Sequence, residues 1–493
     1  MRNALSFWRS RALFIFGLLA ATSFVVFLVV SCGGGNSALK STATGMIQVS
    51  ISDPPSCTPP NGQFTHVFIT VRSVQAHISA TADDSTSGWQ ELAPQLANQP
   101  MQIDLFSSPQ TNCILAQLGS ASLPVGTYQQ IRLILLSNSP ATGAAVPSAN
   151  ACASNGFNCV VLSDNSVHEL ALSSEANTGL KIPPGQIVGG PITVGAGQSV
   201  DLNIDFNACA SIIREGNGTF RLKPTLTAGQ VSQNNSGISG QVIDALTKAP
   251  IAGNVLVAIE QPDSSGVDRI MMETSADASG NFRFCPLPTG TFDIVAVAIG
   301  PNNLPYNATV ALNIPNGTNL GVVPLQPETG ATAPATLQGF VTATTGTAAA
   351  SADVGVSALQ QVSFGSPAVM RLVTIPLEST SAVASTGLIS LTSNTNCPTG
   401  APANTNCAQY TLVVPASNPS VGVFSSSGFT YSTPAAAPVP FTVDARAAVP
   451  NSGGTADCAP SEIMTTTDTN NATLVVTPAT LTTVARTDFK GCS

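Results

Sequence analysis

The chain has 493 residues, with 17 Lys plus Arg against 26 Asp plus Glu, a net charge of −9, and 9% charged residues beside 43% hydrophobic ones. That apolar content excludes a disordered polyanion, and the acidic balance excludes nucleic acid as a partner, because phosphates need clustered Lys and Arg. Three His and so few charges leave little material for acid–base catalysis, while the length suits roughly two to four domains.

The N-terminus reads as an export signal. Arg2, Arg9 and Arg11 form a positive region, and an apolar run extends from Leu13 to Val30, broken only by Gly17, Thr22 and Ser23. Val29-Val30-Ser31-Cys32 follows, then Gly33-Gly34-Gly35. This order resembles the lipobox of bacterial lipoproteins, although Val30 stands where that motif usually has a small residue. The resemblance implies cleavage before Cys32, which then becomes the first mature residue and carries the acyl chains. The alternative is an uncleaved anchor, since the run of 18 residues approaches the length that spans a bilayer.

Either reading places the remainder in the cell envelope, facing the periplasm or the cell exterior. Gly33, rather than Asp, after the cysteine favours the outer membrane. Cleavage leaves 14 basic and 26 acidic residues, a net −12, so the membrane is reached through the lipid anchor and not through charge. Residues 1–31 are read as signal peptide and 32–44 as a Gly/Ser/Ala-rich flexible tether.

Beyond the tether, period-two alternation between clusters of Gly, Pro, Asn and Ser predicts an all-β chain of tandem β-sandwiches. Met46 to Ile51, Val67 to Val71, Ile131 to Leu135 and Val200 to Phe206 follow this pattern. In the last, Val200, Leu202, Ile204 and Phe206 share one face and Asp201, Asn203 and Asp205 the other, which predicts a half-buried strand.

Residues 45–229 carry five motifs in order: Ser52-Asp53-Pro54-Pro55, Leu123-Pro-Val-Gly-Thr-Tyr128-Gln-Gln-Ile131-Arg-Leu133, Thr178-Gly-Leu-Lys181, Asp205-Phe206 and Phe220-Arg-Leu-Lys-Pro224. They resemble the DUF4382 family of exported bacterial lipoproteins. The resemblance implies an exported all-β domain and brings no assigned site. The Cys152 to Cys159 insertion departs from the family's simple pattern.

Residues 236–327 read Gly240-Gln-Val-Ile-Asp244, Pro250-Ile-Ala-Gly253, Asp277-Ala-Ser-Gly280-Asn-Phe282-Arg-Phe284 and Leu287-Pro-Thr-Gly-Thr-Phe292. Asp277 to Gly280 is a turn, with Gly supplying positive φ, and Phe282 and Phe284 then alternate inward. This segment resembles the carboxypeptidase-regulatory-like domain, a transthyretin-like β-sandwich. The resemblance implies an accessory module, not the catalytic peptidase. Residues 334–493 form a third sandwich-like segment. Ile238, Gly240, Val242, Val255 and Val257, shifted by 99 positions, fall on Leu337, Gly339, Val341, Val354 and Val356, which hints at an internal repeat.

Of 11 Cys, assigning Cys32 to lipid leaves ten. Cys57/Cys113, Cys152/Cys159, Cys397/Cys407 and Cys458/Cys492 are candidate disulfides, while Cys209 and Cys285 remain in different segments. No CxxC occurs and no His lies near a pair, so these cysteines read as staples of an oxidising compartment, not as a zinc site.

Asp201-x-Asn203-x-Asp205 superficially resembles a calcium loop, but Phe206 occupies the position where such a loop turns on Gly. His66, His77 and His168 accompany neither a Gly-x-Ser-x-Gly elbow nor a His-Glu-x-x-His motif. Asp83-Asp84 sits in a polar loop before Trp89, the sole Trp of the mature chain, which packs inward or stacks on a sugar ring. No catalytic residue, metal or cofactor is therefore expected, and no binding residue is located. The expectation is a non-catalytic binding or adhesion module whose partner is a polysaccharide or a surface protein. A structural envelope spacer and an unrecognised glycan hydrolase are the alternatives.

Overall fold

The computed structural model describes residues 43–53, 64–82, 85–107, 116–172, 179–188, 190–208, 211–214, 218–222, 226–231, 237–287, 290–328, 330–365, 367–376, 388–395, 397–425, 428–432, 439–448 and 457–492. The apolar N-terminal run, Cys32 and the tether as far as residue 42 lie outside them, and Thr44, read as the last tether residue, opens the first strand. Residues 44–493 make one compact unit. It is all-β, its described residues forming strands joined by turns and short 3-10 segments.

The first segment is two facing sheets. Thr44–Ser52 lies between Ser199–Phe206, its parallel neighbour, and Ala116–Pro124, its antiparallel one, in a five-stranded sheet. Phe64–His77 pairs with Gln130–Leu135 and Cys159–Leu162 in a nine-stranded sheet. Ile47, Val49 and Ile51 of one sheet meet Val67, Ile69, Val71 and Leu133 of the other in a single core. The Leu-Pro-Val-Gly-Thr-Tyr motif has a local mechanism. The buried Tyr128 donates its hydroxyl to the Pro124 carbonyl at 2.9 Å, tying the turn that separates two strands.

Beyond residue 237 the backbone builds one eleven-stranded sheet with a smaller sheet on each face. Asn254–Pro262, Thr291–Ile299 and Thr309–Pro315 belong to the large sheet. Val255, Val257, Ile259, Ile294 and Ala296 point to a core closed by the three-stranded sheet Asn281–Phe284, Ile238–Asp244 and Asn319–Leu325. Leu256, Val295, Val297, Val310 and Leu312 point the opposite way, to a core shared with Ala335–Ala343 and Asn406–Val414. These strands therefore read as near-continuous apolar runs, the signature of burial on both faces. The large sheet continues without a break, since Val267–Ser275 pairs in parallel with Val369–Ile375, and Ser420–Val423 lies parallel along Thr309–Pro315.

The 99-residue offset has a structural counterpart. Ile238–Asp244 has an antiparallel neighbour on one side and a parallel one on the other, and so does Ala335–Ala343. Gly240 sits under the Phe282 ring, where an added Cβ would come within 2.8 Å of Cζ, and Gly339 sits under the ring of Tyr410.

Charged pairs, some of them buried, cross the large sheet. Arg269 pairs with Asp263 at 2.9 Å, Glu462 at 2.7 Å and also Asp444, and Arg446 reaches Asp263 at 3.1 Å. Arg371 pairs with Asp293 and lies 3.8 Å from Asp268. Between the first and third segments, Arg221 pairs with Asp353 at 2.8 Å.

Candidate binding site

The sequence motifs at Asp53 and Asp205 meet in space. Parallel pairing sets Ser52 opposite Asp205. A polar ladder runs along this seam: Ser50 Oγ donates to Asn203 Oδ1 at 2.9 Å, Asn203 Nδ2 to Ser52 Oγ at 2.7 Å, and Ser52 Oγ to Asp205 Oδ1 at 2.9 Å. Asp53 accepts from the Ala208 N–H at 3.3 Å.

The expected half-buried strand is buried on both faces. Asn203 and Asp205 are enclosed because Met271, Met272, Pro286 and Leu287 close a small cavity over them. Burial pushes Asp205 up to about 7, and burial followed by the neighbouring Asp205 pushes Asp53 well above the usual carboxylate range. Among the described residues no group of three or more His, Cys, Asp or Glu is placed to hold a metal ion.

The three histidines sit apart from one another. His66 Nδ1 lies 2.7 Å from Asp104 Oδ2 at an exposed position. His168 Nε2 lies 2.9 Å from Ser166 Oγ, which donates to Asp164 Oδ1 at 2.5 Å. Here the serine stands between acid and histidine, whereas a nucleophilic triad needs the histidine in the middle. His77 is buried, with Nε2 3.0 Å from the Ser87 carbonyl. Trp89 is half-buried, neither core nor open platform, because the Arg132 guanidinium lies 4.0 Å over its ring and the His77 ring centroid is 5.1 Å away. Asp83-Asp84 lies outside the described residues.

Three disulfides join Cys152 to Cys159, Cys397 to Cys407 and Cys458 to Cys492. Cys285 is also disulfide-bonded, while Cys57, Cys113 and Cys209 lie outside the described residues. Disulfides on this scale belong to a compartment outside the cytoplasm.

A wide concavity lies on the outer face of the three-stranded sheet. It has a volume of about 770 Å³, within the size range of small-ligand sites. Alternation explains its lining. Ile238, Val242, Phe282, Phe284, Leu320 and Val323 turn to the core, so Ser239, Gln241, Asn281, Arg283, Asn319 and Val322 face outward. One wall is the Asp277 turn, whose Oδ1 accepts the N–H groups of Ser279 and Asn281 at 2.8 Å each. Gln241 donates to the Ser279 carbonyl at 2.9 Å. The other wall is Gly317 to Gly321, where Asn319 Oδ1 accepts the Gly321 N–H at 2.9 Å, and Gly321 has φ +65°. Sequence reading singled out the Asp277 turn and the inward phenylalanines. It missed the groove, whose lining comes from the three strands, the end of Val267–Ser275 and two turns, spread over more than 80 residues of chain.

Residues 44–224 match the family described as "Domain of unknown function (DUF4382)". No curated protein matches the chain. Among solved structures, the Bacillus anthracis TIE protein is similar at 10% identity and TM-score 0.15, over 91% of this chain and 50% of that one, so the chain spans about half its length. The shaft pilin SpaA from Lactobacillus rhamnosus GG is similar at 13% identity and TM-score 0.16, over 58% of this chain and 98% of the pilin. The streptococcal ancillary pilin is similar at 9% identity and TM-score 0.17, over 91% and 98% of the two chains. At these TM-scores the likenesses carry no weight.

Proposed function

We propose that this chain is an exported, lipid-anchored, non-catalytic binding protein of the cell envelope that presents its sandwiches to a polysaccharide or to another surface protein. The observation that carries this reading is the open polar groove on the three-stranded sheet. It offers hydrogen-bonding side chains on a rigid surface, without a nucleophile–base pair or a facing pair of carboxylates. Disulfides outside the cytoplasm and the lipobox-like Cys32 support the location.

The test is calorimetric titration of residues 37–493 against a panel of envelope and plant polysaccharides, with and without calcium, together with an envelope crosslinking capture. Saturable binding to one glycan class, or reproducible capture of one surface protein, is the expected result. Neither would leave a structural spacer as the better account. For the anchor, mass spectrometry of the membrane-fraction protein is expected to show Cys32 as the first residue, carrying acyl chains, and a chain that keeps residues 1–31 would favour the uncleaved span.

A further inference from the structure

We infer that the groove formed by Ser239, Gln241, Arg283, Asn319 and Val322 is the ligand site, and that its occupant is a neutral oligosaccharide segment. The inference rests on the binding reading above and locates it.

Three observations select this occupant. First, the lining mixes donors and acceptors. Gln241, Asn281 and Asn319 supply amides, each already making one bond within the fold, and Ser239 and Ser275 supply hydroxyls, while Thr318 gives its hydroxyl proton to the Pro315 carbonyl at 2.6 Å and offers only its oxygen as an acceptor. A sugar hydroxyl both donates and accepts, so a lining of amides and hydroxyls matches it from either role. Second, the charges balance. Arg283 and Asp277 are the ionic residues of the lining, one of each sign, and the Asp277 carboxylate is engaged in its own turn. A polyanion would meet one guanidinium and one carboxylate, and so has no net attraction here. Third, Val322 is 48% exposed, a small apolar surface suited to the C–H face of a sugar ring.

The groove is open at its rim and thin-walled. Gly317 and Gly321 bring backbone without side chains to one edge, which leaves room for a chain to pass through and beyond the site. That geometry suits a polymer segment better than a compact metabolite.

The test uses the full-length chain in a zwitterionic detergent, which avoids sugar headgroups. Hexamers of a neutral cello-oligosaccharide and a neutral xylo-oligosaccharide are titrated beside an oligogalacturonate of equal length. The same titrations are run on the double variant Gln241→Ala/Asn319→Ala and on Ser239→Trp, which fills the groove without removing its amides. Unchanged unfolding midpoints establish that the variants fold. The expected result is binding of a neutral hexamer that weakens about tenfold or more in both variants.

Equal binding by wild type and variants overturns the groove while leaving the binding function in place. A preference for the oligogalacturonate overturns the neutral class. Failure of every oligosaccharide and of the wider polysaccharide panel, alongside crosslinked capture of a surface protein, overturns the glycan occupant and retains binding through a protein partner.

Discussion

Gly240 and Gly339 each lie beneath an aromatic ring, Phe282 in one sheet and Tyr410 in the other. The ring fills the volume that a side chain at the glycine would occupy, so larger residues there force the ring out. Gly339→Val is expected to cost about 1–3 kcal/mol, the usual penalty of overpacking a core, measured by urea unfolding. Tyr410 adds a second test. It is 1% exposed and its hydroxyl has no hydrogen-bond partner among the described residues. Tyr410→Phe removes an unpaired buried polar group, so stability is expected to hold or to rise by up to about 1 kcal/mol. A loss of more than that would show that the hydroxyl is paired in solution. The glycines and their 99-residue spacing were legible in the sequence. The rings that cover them were not, because Phe282 and Tyr410 arrive from strands whose pairing is set by the sheet.

The strands of the large sheet are held by charge as well as by ladder hydrogen bonds. Arg269 gathers Asp263, Asp444 and Glu462, whose partners come from strands on either side of the junction at Val267 and Leu372. Removing the cation leaves three carboxylates, one of them 2% exposed, with reduced compensation. Arg269→Met is expected to destabilise by about 3–5 kcal/mol, whereas Arg446→Ala, at a side chain 47% exposed, is expected to cost less than about 1 kcal/mol. Comparable losses in the two variants, read by thermal unfolding, would contradict this ranking.

The disulfides order themselves by the loop they close. Cys458–Cys492 spans 34 residues and Cys152–Cys159 spans 7, so the loop-entropy account makes the first the larger contributor. Serine replacement of each pair, compared by unfolding midpoint, tests that order. The element-level reading from sequence was good where strands alternate cleanly, as in Thr44–Ser52. It fell short at Ser199–Phe206, whose polar face looked solvent-facing. The cover over that face comes from Met271 and Leu287, more than 60 residues away in the chain, and nothing within the strand announces it.

Over the whole molecule, burial raises the pKa of several carboxyl groups. Burial pushes Asp205 up to about 7, and burial with Asp293 alongside pushes Asp268 up to about 8. Glu260, fully enclosed near Asp268, and Asp53 are raised as well. The sign follows directly. Below about pH 4 these groups are protonated in the folded and unfolded chains alike and cost nothing. As pH rises toward 8 the unfolded chain gains by releasing their protons while the folded chain still holds them, so stability falls. The lowered carboxylates, such as Asp263 and Asp488, are ionised in both states throughout that window and leave the trend unchanged. Urea unfolding is therefore expected to give a lower midpoint at pH 8 than at pH 5, with the difference reduced in Asp205→Asn and in Asp268→Asn. A midpoint that rises with pH would contradict these raised pKa values.

The sequence by itself determined the all-β class, because alternation of apolar and polar residues between turn residues is a local property that each strand carries alone. The likeness of residues 44–224 to the DUF4382 family was legible as well, through motifs such as Asp53-Pro54 and Leu123 to Leu133. Tertiary structure alone decided which faces are dry, which residues share the polar groove, and that Asp53 and Asp205 lie side by side. Those outcomes depend on contacts between residues tens to hundreds of positions apart. Burial, electrostatic environment and concavity arise only when separate strands are brought to one place.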